Sequence, residues 1–491
     1  MYDVVIAGGG VVGSSIAREL SKYELDILVV ERASDLCEGT SKANSGIAHA
    51  GYDAVPGTLK ARLNVRGSKM LPKLAEDLDF LYRKEGSLVV SLSDEDVYKL
   101  NELKERGEKN GVTGLEIIDK DRIKELEPNL SDEVKKALFA PDGAIIDPFG
   151  LTYALAYNAA INGVRFMLNT CVSDICKKDD HFEITVLDKE GNKAVYESRT
   201  VINAAGVYAD TLHNMVSSQK IKIIPRKGEY MLLDTTASGV VKRTIFCVPS
   251  AMGKGVLVTP TVHGNILVGP TADDIDDKED IATTKEKLDE IRQKSLLTVP
   301  ELPLREVITS FSGLRARLVE RCEVTSYDPE YKNEDGDFLI GEVKDVPGFI
   351  DAAGIESPGL TAACAIGEYV KDILKNIIIL KSKADFKEKN EKIKRFALAS
   401  EKERANMIKE NKKYANIVCR CCTVTEGEIL DALTSPVPAT TADGVKRRTF
   451  ASMGRCQAGF CNPKIVEIIA ETLGISPEEV AKNDPGSEFL I

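Results

Sequence analysis

Apolar positions first run together and then fall into helical spacing. Residues 2–7 form a continuous apolar run, Ile16, Ala17 and Leu20 share one helical face, and 27–30 is a second apolar run ending at Glu31. The pattern predicts a strand, a helix and a second strand. Between the first strand and the helix, Gly8, Gly10 and Gly13 stand at G-x-G-x-x-G spacing, with Val12 among them. A chain leaving a strand there can turn tightly, bring its backbone against a pyrophosphate and offer the free amides of a helix N-terminus to phosphate oxygens. Glu31, followed by Arg32, is placed to accept hydrogen bonds from both hydroxyls of an adenosine ribose. Because strand, helix and acid fall in register, the segment reads as dinucleotide-binding rather than as a structural glycine turn.

Downstream the two periods alternate. Residues 56–135 are charged and helix-patterned, with Leu71, Leu74, Leu78 and Leu81 at three- and four-residue intervals and SLVVS interrupting as a strand; they predict a cap over the nucleotide domain. A helix is expected over 144–161, a returning strand over 163–175, and a hairpin from 182–187 and 193–196. The strand in TVINAAG ends at Ala204, Ala205 and Gly206, a second small-residue turn suited to backbone beside a dinucleotide. From 222 to 269, short apolar runs broken by Gly, Pro and Asp predict an antiparallel sheet, and a charged helix follows at 283–299. FSGLRARL then sets Arg315 and Arg317 close together, and the strand at 348–354 enters another glycine-bearing turn and a helix. Residues 376–416, dense in Lys and Glu and without Gly or Pro, read as a solvated helical connector.

Composition narrows the picture. The chain has 491 residues, 43% hydrophobic and 29% charged, an ordinary globular balance for two or three domains. No apolar run reaches the length of a membrane span, and the opening strand leaves no room for a signal peptide, so a cytoplasmic location is expected. A net charge of −12 argues against nucleic acid as a partner but not against a local basic pocket. Of eleven cysteines, five follow residue 418, which points to a metal site in the tail rather than a disulfide framework. Cys37, Cys247 and Cys364 are expected to be small buried hydrophobes.

The segment TSKANSGIAHAGY, 40–52, is small, polar and glycine-bearing, a poor core and a good cradle. Here the sequence resembles the FAD-dependent oxidoreductases of the D-amino-acid-oxidase and glutathione-reductase-like superfamily. Within it, NSGIAHAGYDAVPGTLKARL looks most like anaerobic-type glycerol-3-phosphate dehydrogenase large subunits and L-2-hydroxyglutarate oxidases. The resemblance implies that this segment crosses a flavin, with Thr40, Ser41, Asn44, Ser45 and Gly46 touching FAD; the alternative is an Ω-loop serving only packing. It also implies that the 163–175 strand brings the backbone of Val172 to the adenine. The late helix would point its N-terminus at the flavin, with Gly354, Ile355, Ser357, Gly359, Leu360 and Thr361 as contacts, and its dipole would stabilise reduced flavin.

In the tail, Cys419 and Cys421 form a C-x-C pair, and Cys456 and Cys461 a C-x4-C pair. Between them Thr425 and Glu428 suit a capping box. Four thiolates suffice for a 2Fe-2S cluster and would equally hold zinc. With MGRCQAGFC, the set resembles the bacterioferritin-associated-ferredoxin-type domain, which implies 2Fe-2S; Cys422 leaves a C-x2-C pairing with Cys419 open.

A flavin and a cluster in one chain imply a substrate that gives a hydride and electrons that leave singly. Oxidising a secondary alcohol requires a base, for which His49 is the candidate and His263 the reserve. Arg315 and Arg317 offer a fork of donors to an anionic alcohol, with an exposed salt bridge the alternative for Arg317; Arg315 matches the family's substrate arginine and is grouped with His49 as catalytic, and Tyr230 and Lys254 are further substrate-binding candidates. The expected reaction is oxidation of sn-glycerol 3-phosphate to dihydroxyacetone phosphate. Oxidation of L-2-hydroxyglutarate or a related 2-hydroxy acid is the competing reading, and an electron-transfer subunit the third. The acceptor would be another protein subunit or a pyridine-nucleotide oxidoreductase, with a membrane reached only through partners. The fold class expected is α/β: a Rossmann-type FAD-binding domain (about 1–85, 145–220 and 330–375) with an antiparallel-sheet substrate domain (about 86–144 and 221–329), together 1–375. The connector 376–416 and a small, mainly helical iron-sulfur domain at 417–491 complete it.

Overall fold

The computed structural model describes residues 1–248 and 256–489. The strand Tyr2–Ala7 lies inside a nine-stranded sheet, between Ile27–Val30 and Lys193–Asn203, with Arg165–Met167 and Phe349–Ala353 beyond them. All four of these pairings are parallel. Parallel strands covered on both faces need apolar residues at every position, which is why the opening strand shows no alternation. Val4 and Ile6 pack with Ile16 and Leu20 of the helix Val11–Leu20 and Ile366 of the helix Gly359–Leu374. Val5 and Ala7 face the other way, against Phe182, Ile184 and Phe349.

The 144–161 segment begins with a short strand, Ala144–Ile146, before Asp147 caps the helix Pro148–Ile161 by accepting the Phe149 N–H at 3.0 Å. The returning strand is two strands, Arg165–Met167 and Thr170–Lys177, with Asn169 at positive φ between them. The first helix of the charged 56–135 pattern, Leu59–Leu78, buries Leu59 and Leu63 in the nucleotide-domain core, so it packs with that domain.

The second sheet also has nine strands and is built on two long ones, Lys222–Leu233 and Val307–Glu320, paired antiparallel along their length. The KIIPRKGEYMLL run is one strand. Ser87–Ser91 joins this sheet parallel to Thr244–Cys247, so the sheet is mixed, and the strand that interrupts the cap belongs to the substrate domain.

The connector departs from expectation. Among the described residues of 376–416, α-helix is confined to Glu401–Glu410. The stretch before it lies along the nucleotide domain, where Asn390 donates to Ala154 O at 2.8 Å and Lys383 N donates to Lys22 O at 2.8 Å. Charge composition cannot tell a solvated helix from a strap whose backbone finds partners on a neighbouring domain. The tail forms three helices, Glu426–Leu433, Ala442–Thr449 and Asn462–Leu473, around their own core of Ile429, Val445, Ile465 and Ile469. Among the described residues no helix is long and apolar enough to cross a membrane.

Candidate active site

The first glycine turn is closed by backbone, not by side chains. Gly8 has φ +112°, and a Cβ there would lie 2.5 Å from Ala204 O, while one on Gly13 would lie 1.9 Å from Gly8 O. The two predicted small-residue turns therefore meet. Gly206, at φ +58°, has nothing within 4 Å of its Cβ position, and Gly10 ends the helix without a side-chain cap. Val12 is half-buried on the same helix. Glu31 ends its strand with Oε2 accepting from Gly9 N at 2.6 Å and Oε1 from Ala33 N at 2.9 Å; burial nevertheless holds its carboxyl above the usual range. Thr170 N donates to Glu31 O at 2.9 Å, which sets the strand carrying Val172 beside the acid. Arg32 stacks on Tyr208 at 4.0 Å and pairs with Glu279 at 2.9 Å. Ser34 Oγ nearby is buried with no partner among the described residues. An open helix N-terminus, a ribose-ready acid and an orphaned hydroxyl are what a dinucleotide would need.

Beneath these turns lies a buried network with no motif to announce it. His213 Nδ1 donates to Asp351 Oδ2 at 2.6 Å and its Nε2 to Gln219 O at 2.6 Å, while Asn203 Nδ2 donates to Asp351 Oδ1 at 2.8 Å. Burial disfavours the charged imidazole, but Asp351 outweighs it and raises His213 to about 10. Cys322 lies close enough to join the two as a metal-ligand group. Both ring nitrogens are already donating, so the imidazole has no lone pair for an ion.

The 40–52 segment reaches the first helix, the late helix and the long strand Val307–Glu320. Ser41 Oγ accepts from Val11 N at 2.9 Å; Asn44 folds the loop by accepting from Gly46 N at 2.9 Å and donating to Ser41 O at 2.8 Å. Thr40 donates to Leu314 O. Gly313 must be glycine, because its Cβ would lie 1.9 Å from Ala43 O. Ser45 meets the Tyr230 hydroxyl at 3.2 Å, and Tyr230 stacks on Phe311 at 5.0 Å.

His49 is tied down at its backbone, donating to Thr361 Oγ1 at 2.9 Å, and its Nε2 lies 3.4 Å from Ser357 Oγ. Its ring lies 5.9 Å from Phe246, and burial lowers its pKa. The late turn is here as well: Gly354 packs on Leu318 and Gly359 on Ile355, with Leu360 half-buried beside them. The side chains of Thr40, Asn44 and Thr361 are thus satisfied within the protein, and backbone is what they leave to face a ligand.

The arginine fork is not formed. Arg315 Nη2 donates to Thr271 O at 2.9 Å and stands near Tyr230, whereas Arg317 pairs with Asp274, which also binds Arg226 at 2.7 Å. An acid from a neighbouring strand has claimed Arg317, which adjacency in sequence could not show. Lys254 falls outside the described residues. His263 sits apart, stacked on Phe450 at 3.4 Å. An open groove of about 750 Å³ lined by Glu24, Asp26, Asn162, Lys383 and Lys387 contains none of the sequence-predicted site residues.

Residues 3–373 match the family model for FAD dependent oxidoreductases. The chain belongs to that family. Residues 417–471 of this FAD-dependent oxidoreductase match the BFD-like 2Fe-2S binding domain. It is 47% identical over 491 residues to a glycerol 3-phosphate dehydrogenase of Caloramator mitchellensis, covering 100% of this chain and 98% of the relative. An Arabidopsis thaliana mitochondrial L-2-hydroxyglutarate dehydrogenase is 27% identical over 75% of this chain and 82% of its own length. Among solved structures, the dithionite-reduced L-alpha-glycerophosphate oxidase of Mycoplasma pneumoniae with FAD bound aligns with TM-score 0.71 at 32% identity, over 79% of this chain and 98% of that one.

The oxidoreductase's cluster domain gathers five thiols. Cys421 and Cys456 have their sulfurs 3.5 Å apart. Cys419 accepts from the Cys422 and Cys461 thiols and from the backbone N–H of Ser452 and Cys422, which holds its pKa far below a free thiol's, while Cys422 and Cys461, held protonated as donors to it, are pushed up. A Cβ on Gly454 would lie 2.4 Å from Cys421 Cβ, so the two cysteine loops pack directly. A thiol pair and a thiol group of three, with N–H donors at Cys419 sulfur, supply the ligands a 2Fe-2S cluster needs. Thr425 and Glu428 form the expected capping box. Cys37 and Cys364 are buried as expected, and Cys247 only partly so. Sequence reasoning missed Ser34, Gly313, the His213 network and Arg447–Arg448; of these only Gly313 stood within a motif already singled out.

Proposed function

We propose that the oxidoreductase converts sn-glycerol 3-phosphate to dihydroxyacetone phosphate, working in the cytoplasm as an anaerobic-type dehydrogenase. The observation that carries this reading is 47% identity to the Caloramator dehydrogenase along the whole chain, cluster domain included. FAD, when bound, supplies the hydride acceptor and the 2Fe-2S cluster a one-electron carrier. His49 takes the hydroxyl proton at Nε2. Burial keeps it neutral at pH 7 and so able to accept, and Ser357 Oγ at 3.4 Å orients the ring. Arg315 supplies positive charge beside Tyr230 for the phosphate, and Lys254 is its partner candidate. Gly8, Gly10, Gly13, Glu31 and the 40–46 backbone hold the dinucleotide, while Cys419, Cys421, Cys456 and Cys461 ligate the cluster. Residues 1–375 and 417–491 accordingly divide hydride chemistry from electron export. The acceptor is a protein. Phe460, 87% exposed between Cys456 and Cys461, offers it an apolar contact next to the cluster.

The test is anaerobic stopped-flow absorbance of the loaded protein mixed separately with glycerol 3-phosphate and with L-2-hydroxyglutarate. Bleaching of the flavin band by the phosphate alone is the expected result. Bleaching by the hydroxy acid alone would replace this substrate with the competing one, whose carboxylate the same cationic side chain would hold.

A further inference from the structure

The helix Ala442–Thr449 drives two adjacent arginines into the flavin domain. Arg448 binds Asp35 Oδ1 at 2.8 Å and Tyr157 OH at 2.7 Å and lies 3.9 Å over the Tyr153 ring, while Arg447 reaches Tyr153 OH at 3.1 Å and pairs with Glu38. The side chains of Arg447, Arg448, Asp35 and Glu38 are all no more than 8% exposed. A surface built for repeated docking and release keeps its charges on a wet rim. This one is buried and its charges are paired, so opening it would break several charge-assisted hydrogen bonds at once. Asp35 and Glu38 belong to the loop that leads directly into the 40–46 flavin-crossing segment, so the clamp grips the flavin site itself.

Directly after that helix comes Phe450, held at φ +64°, a left-handed conformation rare for a bulky residue. Its ring lies 3.4 Å from His263 and 6.0 Å from Phe149. Three residues before Phe149, Ile146 N donates to Gly46 O in the flavin-crossing loop at 2.8 Å. On the other side, Met453 N donates to Phe450 O at 3.2 Å, and Gly454 is packed on Cys421. Covalent segments, hydrogen bonds and van der Waals contacts thus run from Gly46 to Cys421. Arg455 adds ion pairs to Asp234 at 3.6 Å and Glu306 at 3.3 Å on the substrate sheet.

We propose that the cluster domain is clamped in one position rather than swinging between flavin and acceptor, and that Phe450, seated between Phe149 and His263, is the seam through which electrons reach the cysteine loops. The inference rests on the functional reading only in needing a reducible flavin and a 2Fe-2S cluster. When bound, reduced flavin would supply two electrons singly and lose one proton to solvent over the pair, and the cluster would hold one electron at a time, the second following once the protein acceptor has taken the first.

The experiment reduces the flavin of the loaded protein by a light flash with a deazaflavin donor. It needs no glycerol 3-phosphate and stands even if that substrate proves wrong. Cluster reduction is followed by absorbance and by freeze-quench electron paramagnetic resonance. Phe450→Ala should slow cluster reduction by roughly tenfold or more, with photoreduction of the flavin and iron content unchanged, and Phe450→Trp should restore it. If Phe450→Ala loses its cluster, His263→Leu, which removes one side of the stack, should show the same slowing. An unchanged rate in an iron-replete variant overturns the seam. Hydrogen exchange of 442–449 should be equally slow in oxidised and reduced protein, and exchange that rises on reduction overturns the fixed position.

Discussion

His49 and His213 show how the same side chain is set to opposite ends of its range. Around His49 burial is the dominant influence and lowers the pKa. The acid limb of flavin reduction by substrate should therefore lie below pH 6.5, and His49→Gln should remove that limb and slow reduction by roughly a hundredfold, as read by stopped-flow across pH. His213 has a carboxylate and a carbonyl as fixed acceptors and rises to about 10. A folded-state pKa above the unfolded value of 6.5 gives stability that is complete below pH 6.5 and is lost as pH climbs through 10. His213→Gln should flatten the fall in melting temperature across that window, as thermal denaturation at stepped pH would record. Neither outcome was visible in the chain: the 40–52 motif drew attention to His49, but nothing near His213 hinted at Asp351, 138 residues away.

At the scale of the element, the sequence was most legible where one local rule sufficed. The opening strand, turn and helix, the Thr425–Glu428 box and the helix Gly359–Leu374 came from period, spacing and capping alone. Thr425→Ala removes the hydroxyl that accepts from Glu428 N while leaving the 425 N–H on the Glu428 carboxylate, and should cost the cluster domain about 1 kcal/mol, measured by denaturant unfolding. Gly13→Ala would set a methyl group against Gly8 O, costing about 1–3 kcal/mol, and should weaken FAD binding in a fluorescence titration. Retained affinity would show that the turn can shift. Legibility failed where pairing is decided at a distance. Ser87–Ser91 reads as a strand interrupting a helical cap, yet its partner is Thr244–Cys247, far along the chain in the second sheet. For Arg317 the sequence left substrate binding and a salt bridge open, and the second sheet put Asp274 beside it.

Across the whole molecule, one ionic cluster joins two domains that have separate cores. Burial alone would raise the Asp35 pKa, but Arg448 and Arg447 lower it below 3.8. Its contribution is present above that value and lost in stronger acid. Arg448→Met leaves Asp35 buried without its main partner and should cost about 3–5 kcal/mol, with the domain boundary becoming the first site of limited proteolysis. A variant as protease-resistant as the parent would show that the apolar contacts suffice. The sequence by itself determined the opening strand–turn–helix of the FAD-dependent oxidoreductase region and the cysteine set of the 2Fe-2S domain, because each is written in local residues whose spacing the chemistry dictates. Only the tertiary structure decided that Asp274 pairs with Arg317, how the connector lies and where the cluster domain docks. Those depend on which groups from distant segments claim one another's charge and hydrogen bonds when water is excluded, and no local pattern records that competition.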